Sequence, residues 1–362
     1  MATLQDMLAA RTLTGVVNSI SGGVPNDLLP AALYSPTREI EGDQGTYFKV
    51  KNTRKTARRA KGQGTVPKEA DKEDEEEVQF RALSATESLR YKPHTLQNLM
   101  SEDGGKQRLG MGDIRRQSTE HVRRFTNLRS GCVYSALGRG IISFNAEGDL
   151  KTSASTINID FGVPAGNKAQ LDVFGSGDII STSWDNAAAD IPTQIKALKK
   201  AARKLTGLKI QHALYGENVL GYLLSNNQTK ELINRSQARR DEAAALEVPN
   251  PFLGLTWWDV AEAFYDDAGT LTDFFGPDTI VFIPEVSEEW WDYPEGTNIV
   301  PTDLGTVHAD AVDALSAIDV MPGLSSYATV TRKPVGIEQI IQDTFLPIIR
   351  NANAIFIATI KF

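Results

Sequence analysis

The spacing of apolar positions changes several times along this chain, and each change marks a different element. From Asp113 onward, Ile114, Ser118, Val122, Phe125, Leu128 and Cys132 recur at intervals of three and four, which predicts a capped amphipathic helix to about Leu137. At 1.5 Å per residue it would be roughly 38 Å long. Its opposite face carries Arg115, Arg116, Arg123 and Arg124 with Glu120 among them, which reads first as a solvated or salt-bridged face and second as a phosphate-binding one. The period then falls to two. Ile141-Ile142-Ser143-Phe144, a turn over Asn145 to Asp149, and a return strand with Ile157, Ile159 and Phe161 on one side and Asn158 and Asp160 on the other predict a hairpin. A helix is predicted over 192–205, where Pro192 suits the first helical position and Gly207 the stop. A strand over 208–215, a helix over 219–224, a buried strand at Ile280-Val281-Phe282-Ile283 and a last strand over 354–360 follow. No internal repeat is visible, and this mixture of separated helices and strands is α+β.

The first third of the chain follows a different pattern. Residues 1–45 offer at most a short amphipathic helix (Leu4, Met7, Leu8) before turn-rich sequence through Gly22, Gly23, Pro25, Pro30 and Pro36, so they read as an arm lying on another surface. Between β-like flanks, Thr46 to Val50 and Val78 to Phe80, stand the cations Lys51, Arg54, Lys55, Arg58, Arg59 and Lys61, a Gly62-Gln63-Gly64 tip, and the acids Glu69, Asp71, Glu73, Asp74, Glu75, Glu76 and Glu77. No core can form from such blocks of like charge. A hairpin of residues 46–83 would project roughly 60 Å, far beyond a globule of this length with a radius of gyration near 20 Å. Its charged residues are therefore candidates for contact with a neighbouring subunit.

Composition narrows the function classes. With 362 residues, 41% hydrophobic and 23% charged, the chain can bury one large core or two smaller ones. A formal net charge of -8 argues against a high-affinity nucleic-acid binder, although it allows an acidic shell around nucleic acid. The lone Cys132 excludes an internal disulfide framework and, beside Val133 and Leu137, reads as a buried structural thiol. Met1 to Leu13 lack the apolar core of a secretory signal, and no run approaches the ~20 apolar residues of a membrane span.

Chemistry is sparse. His94, His121, His212 and His308 are far apart, none at metal-ligand spacing from another His or Cys, and no nucleophile-elbow, phosphate-loop or dinucleotide fingerprint is present. No catalytic residue, metal or cofactor is expected. The stretch Glu288-Glu289-Trp290-Trp291-Asp292-Tyr293-Pro294-Glu295 admits paired carboxylates, and hence a soluble acidic hydrolase as the alternative of another class. Aromatics with acids in a Pro-flanked loop more often form a surface cluster, which makes Trp290 and Trp291 candidate subunit-contact residues.

Taken in order, several tracts resemble the tailed-phage major capsid proteins, in the branch of lambda-type capsid protein E with the Hong Kong 97-type fold. They are Ile157-Asn158-Ile159-Asp160-Phe161-Gly162, Trp184, Asp190-Ile191-Pro192, Gly207, Ala213-Leu214-Tyr215-Gly216, Tyr265-Asp266-Asp267-Ala268-Gly269, the strand from Asp278 to Pro284, and Leu346-Pro347-Ile348-Ile349. The resemblance runs over most of the chain beyond about residue 90. It implies an N-terminal arm (1–45), an extended loop (46–84), a spine helix (about 112–138) with peripheral P-domain strands in 85–185, an axial A domain (186–322), and return strands to the P domain (323–362).

The implied function is a structural shell protein, self-assembling into hexamers and pentamers of an icosahedral or prolate virion capsid that encloses packaged double-stranded DNA. DNA contact would be weak and without sequence specificity, with Arg115, Arg116, Arg123 and Arg124 as the residues that could face it. The resemblance implies further partners, a portal and a decoration protein, and assembly in the host cytoplasm. No scaffolding segment of about a hundred residues stands ahead of the arm, so a separate scaffolding protein is expected. A nanocompartment shell of the same fold, enclosing protein cargo, is the nearest alternative.

Overall fold

The computed structural model describes residues 11, 13–15, 17, 30–50, 75–99, 101, 103–153, 155–173, 175, 177–245, 248–260, 263–265, 271–301, 318–332 and 335–362. Its longest element is a spine helix, Gly104–Arg139, 36 residues or roughly 54 Å at the helical rise. The helix begins nine residues before the expected start. Asp103, not Asp113, is its N-cap, accepting a hydrogen bond from Gly105 N at 2.9 Å, while Asp113 turns outward to Arg116. Gly104, Gly105, Gly110 and Gly112 break the apolar stripe that would have betrayed these first turns. From there the predicted face is buried through Ile114, Ser118, Val122, Phe125 and Cys132. Every residue from Ser130 to Leu137 is buried, so the helix enters the core end-on. Gly140 stops it at φ +72, where a Cβ would lie 2.6 Å from Val163 Cγ2.

Two sheets flank this helix. In the six-stranded sheet, Val335–Phe345 is central and pairs antiparallel with Ser325–Arg332 on one side and Leu83–Arg90 on the other. Pro294–Pro301 joins through Glu295 opposite Phe345, and itself pairs with Ile318–Pro322 and, in parallel, with Arg38–Ile40. The five-stranded sheet runs Thr256–Asp259, Ile210–Tyr215, Thr279–Pro284, Phe356–Thr359 and Lys168–Ala169. Its central strand, Thr279–Pro284, is buried at every position from Ile280, as an uninterrupted apolar run requires. The predicted hairpin forms a small sheet of its own, Ile141–Phe144 with Leu150–Lys151 and Ile157–Asp160. The helix Ile191–Thr206 has Asp190 as N-cap, Pro192 in its first turn and Gly207 as C-cap, as the sequence indicates.

These sheets do not divide the chain where the resemblance implied. Strands 294–301 and 318–322, expected in the 186–322 unit, lie in the six-stranded sheet. Within the expected return segment 323–362, the last strand pairs with Thr279–Phe282 in the five-stranded sheet. Periodicity reports which face of a strand is buried and says nothing of its partner.

Residues 30–40 also depart from the reading of 1–45 as an arm lying elsewhere. Leu33 is wholly buried in the main apolar cluster, its carbonyl accepts from Trp291 Nε1 at 3.2 Å, and Thr37 and Arg38 both reach Asp292. Leu13 and Val17 are buried as well, beside Ile114 and beside Val122 and Phe125 of the spine helix. A buried polar chain ties this region to the body. Thr14 Oγ1 donates to Ser326 O at 3.0 Å, Gln339 Nε2 donates to Ser326 Oγ at 2.8 Å, and the hydroxyls of Tyr91 and Ser118 both donate to Gln339 Oε1.

The spine helix is locked to the six-stranded sheet by Arg129. Its guanidinium binds Asp343 with two bonds of 2.7 and 2.6 Å, binds Glu295 at 2.7 Å, and lies 5.2 Å over the Phe345 ring. Burial acts to lower the Arg129 pKa, but the Asp343 charge, its hydrogen bonds and Glu295 outweigh it and carry the group well above its ordinary value. Arg129→Met would leave a fully buried Asp343 without its cation. We expect a loss of about 3–5 kcal/mol in urea unfolding followed by circular dichroism. A loss under about 1 kcal/mol would show that the fold does not depend on this pairing. Deleting residues 1–40 is likewise expected to weaken the monomer itself, read as a lower melting temperature.

Candidate functional site

The expected projecting hairpin has its base in Gln44–Val50 paired with Glu75–Arg81, in a register running from Gln44 opposite Arg81 to Val50 opposite Glu75. Tyr47 faces the core beside Phe80, ring centroids 6.0 Å apart, while Phe48 on the other side is 46% exposed. Two contacts fix the base to the body. Val50 N donates to Arg350 O at 2.9 Å, and Arg38 bridges from Thr46 O to the Asp292 carboxylate, while Arg81 pairs with Asp43 across the foot of the hairpin. Lys49 stands opposite Glu76, where opposite charges favour the register. The cations Lys51, Arg54, Lys55, Arg58, Arg59 and Lys61 lie outside the described residues, as do Glu73 and the side chain of Glu75. On the return side the chain re-enters the body at Ala82, and Leu83 and Ser84, expected in the loop, pair with Phe345 and Thr344.

Trp290 and Trp291 are not surface residues. They are 0% and 1% exposed, their rings 5.6 Å apart in the main core, with Trp290 Nε1 donating to Glu285 O at 2.8 Å. The adjacent acids suggested a solvated loop, but two of them are neutralised by distant cations, Asp292 by Arg38 at 2.9 Å and Glu295 by Arg129. Paired this way the carboxylates can be buried, and the aromatics between them go inward. The role assigned to both tryptophans as subunit-contact residues is thus corrected to one in the core. Glu288 and Glu289 remain on an exposed turn. A cleft of about 180 Å³ beside Thr37, Arg38, Tyr47, Phe48, Glu288 and Arg350 is smaller than the ~300 Å³ of an ordinary ligand pocket.

Of the histidines, His121 is buried against Phe125 and bonded to Glu87 at 3.0 Å, His212 is bonded to the Trp258 indole at 3.2 Å, and His94 is exposed 3.9 Å from Asp113. His308 lies outside the described residues. Cys132 is wholly buried, and burial pushes its thiol well up, away from thiolate chemistry. Arg115, Arg116, Arg123 and Arg124 are all exposed on the spine helix, with Arg116 paired to Asp113 at 3.6 Å and Arg124 to Glu87 at 3.4 Å. That matches the salt-bridged reading of this face.

Sequence reasoning missed the exposed apolar positions. Leu109 and Met111 stand out from the first turns of the spine helix, while Ile299 and Val320 face each other across paired strands at 66% and 58% exposure. Burial alternates along Pro294–Pro301, but apolar character does not, since Asn298 is buried and Ile299 exposed, so the sequence carried no signal for these positions.

A spine helix, the two sheets that flank it and the paired strands at the base of a charged segment are the features to be matched. Over residues 9–360 the sequence matches the family described as Phage major capsid protein E. The chain belongs to that family. Its fold is similar to that of a prophage protein from Escherichia coli CFT073 assigned as a capsid protein, at 16% identity and a TM-score of 0.57, covering 98% of this chain and 99% of the other. A phage-related protein of Bordetella bronchiseptica RB50 is also similar, at 12% identity and a TM-score of 0.50, covering 95% and 96%. No match is found among curated proteins. The chain is a structural major capsid protein with a tailed-phage capsid fold, α+β throughout.

Two measurements separate core from contact in this capsid protein. Trp290→Ala should cost about 3–5 kcal/mol of monomer stability, whereas a subunit-contact tryptophan would leave the monomer unchanged. Stability should also fall on acidification. Burial lowers the His121 pKa below 6.5, against the pull of Glu87, so the folded state holds this ring neutral and binds fewer protons than the unfolded chain. Its contribution is complete above about pH 6.5 and is lost as pH falls further. The urea midpoint should therefore drop between about pH 7.5 and pH 5.5, and less so in His121→Gln.

Proposed function

We propose that this capsid protein assembles into hexamers and pentamers of a closed shell around packaged double-stranded DNA, and that its charged hairpin joins adjacent subunits. The observation that carries this reading is the hairpin's construction. Seven-residue strands, Gln44–Val50 and Glu75–Arg81, leave the body from a base fixed at Arg350 and Arg38, and their sequence continues into a segment with a single large apolar residue, Val66, too little to fold on itself. Lys51, Arg54, Lys55, Arg58, Arg59 and Lys61 meet acidic surface on the neighbour in this reading, while Glu73, Glu75 and Glu76 meet basic side chains there or pair back across the hairpin. Ile299, Val320, Phe48 and Leu109 add apolar area to the contacts between copies. No catalytic step belongs to this function. A portal and the enclosed DNA are its other partners, the virion its location, and the host cytoplasm the place of assembly.

Single exposed ion pairs contribute only about 0–1 kcal/mol, so the hairpin acts through number and register, repeated at every copy. Arg54→Glu/Arg58→Glu/Arg59→Glu should leave a folded monomer by circular dichroism that makes no closed shells in negative-stain images at physiological salt. Normal shells from this triple variant would remove the hairpin from the assembly mechanism. Nucleotide content of wild-type shells distinguishes a DNA-filled capsid from a shell around protein cargo.

A further inference from the structure

The helix Ile191–Thr206 and the loop after it contain Lys196, Lys199, Lys200, Arg203, Lys204 and Lys209 and not one acid between Ile191 and Lys209. All six line a single open trough of about 560 Å³. In a chain with a formal net charge of -8, this is a local concentration of positive charge, matched in the sequence by the run from Lys51 to Lys61. The other basic face, on the spine helix, is interleaved with Glu120 and tied to Asp113 and Glu87. Among the described residues, no ion pair joins Lys196, Lys200 or Arg203 to a carboxylate, and all three are exposed.

The fold explains only part of the patch. Arg203 and Lys204 suit the last helical turn, where cations complement the dipole. Lys199 is half-buried, and its Nζ donates to the carbonyls of Leu253 and Gly254, both at 2.7 Å, which fixes one wall of the trough. Lys196 and Lys200 have no such role. They lie in the middle of the helix, ahead of its last turn, and like charges at four-residue spacing (Lys196 with Lys200, Lys200 with Lys204) work against it. An anion from outside the chain would reverse that sign.

We infer that this face binds the phosphate backbone of duplex DNA without reading its sequence. The inference rests on the capsid reading above. Lys196 to Lys204 span about 12 Å of helix, enough to lie along about three or four phosphates of one strand at 3.4 Å each. Five of the six cations are lysines, mobile point charges that suit non-specific phosphate contact, where bidentate base reading would call for arginine. Every residue that lines the trough is a lysine or an arginine, so the lining holds no distinct side-chain pocket to set the register of an acidic peptide, which sequence-specific peptide recognition requires.

Anisotropy of a labelled duplex of about 20 base pairs, titrated with unassembled full-length protein between 50 and 200 mM salt, tests this. Lys196→Gln/Lys200→Gln/Arg203→Gln should bind about tenfold more weakly at 50 mM, with a slope of log affinity against log salt shallower by about 2.7, three contacts at 0.9 each. Lys196→Arg/Lys200→Arg should bind like wild type, and a duplex of unrelated sequence should bind equally. Unchanged affinity and slope in the Gln variant, no duplex binding by wild type, or tighter binding of polyglutamate than of the duplex through these same residues would each overturn the inference, the last in favour of an acidic protein partner. Shells are scored by electron microscopy in cells expressing the protein with its scaffolding protein. Wild-type shells without patch-dependent binding refute this inference alone, whereas absence of wild-type shells there refutes the shell reading on which it rests.

Discussion

The pairing of Arg129 with Asp343 and Glu295 is the constraint on which the remaining architecture depends. One guanidinium on the spine helix holds carboxylates from two adjacent strands of the six-stranded sheet, and Glu295 and Phe345 are the only registered pair joining those strands. Asp343 is wholly enclosed, so its charge is tolerable only with the cation present. Around this point the two tryptophans, Tyr293 and Phe345 close the core, and Asp292, one residue from Tyr293, repeats the device with Arg38. The same short segment, 290–295, therefore holds the spine helix, the strand Arg38–Ile40 and the base of the hairpin.

Much of this was legible in the sequence where local chemistry decides. Pro192 and Gly207 bracket their helix because a fixed φ and a left-handed stop act within a turn, and the hairpin flanks announce themselves by alternation. The first turns of the spine helix were hidden because Leu109 and Met111 point outward and glycines separate them. Trp290 and Trp291 were misread for a different reason. The cation that neutralises Glu295 is 166 positions away, and nothing in the local run of acids records it. The division between the sheets was unreadable on the same ground, since Phe356–Thr359 and Thr279–Phe282 share a period but reveal no pairing.

Charge in this protein is thus used in two ways. Inside, single cations are matched to carboxylates at 2.6–2.9 Å, and a short polar chain through Gln339 joins Thr14, Tyr91 and Ser118. Outside, charge is grouped by sign along the sequence, in the segment from Lys51 to Glu77 and on the helix Ile191–Thr206. The inner pairs specify a fold, and the outer blocks are the surfaces proposed above for contact with other subunits and with DNA.

The central position of Val335–Phe345 bears on the order of synthesis. Its neighbours are Leu83–Arg90 and Ser325–Arg332, and Pro294–Pro301 and Arg38–Ile40 continue the same sheet, so segments made first wait for one made late. At about 5–20 residues per second, the ribosome needs roughly 17–70 s to reach residue 345. Until then the hairpin emerges without the sheet that anchors its base. If the hairpin joins subunits as proposed, its base is complete only in chains made at least to residue 345.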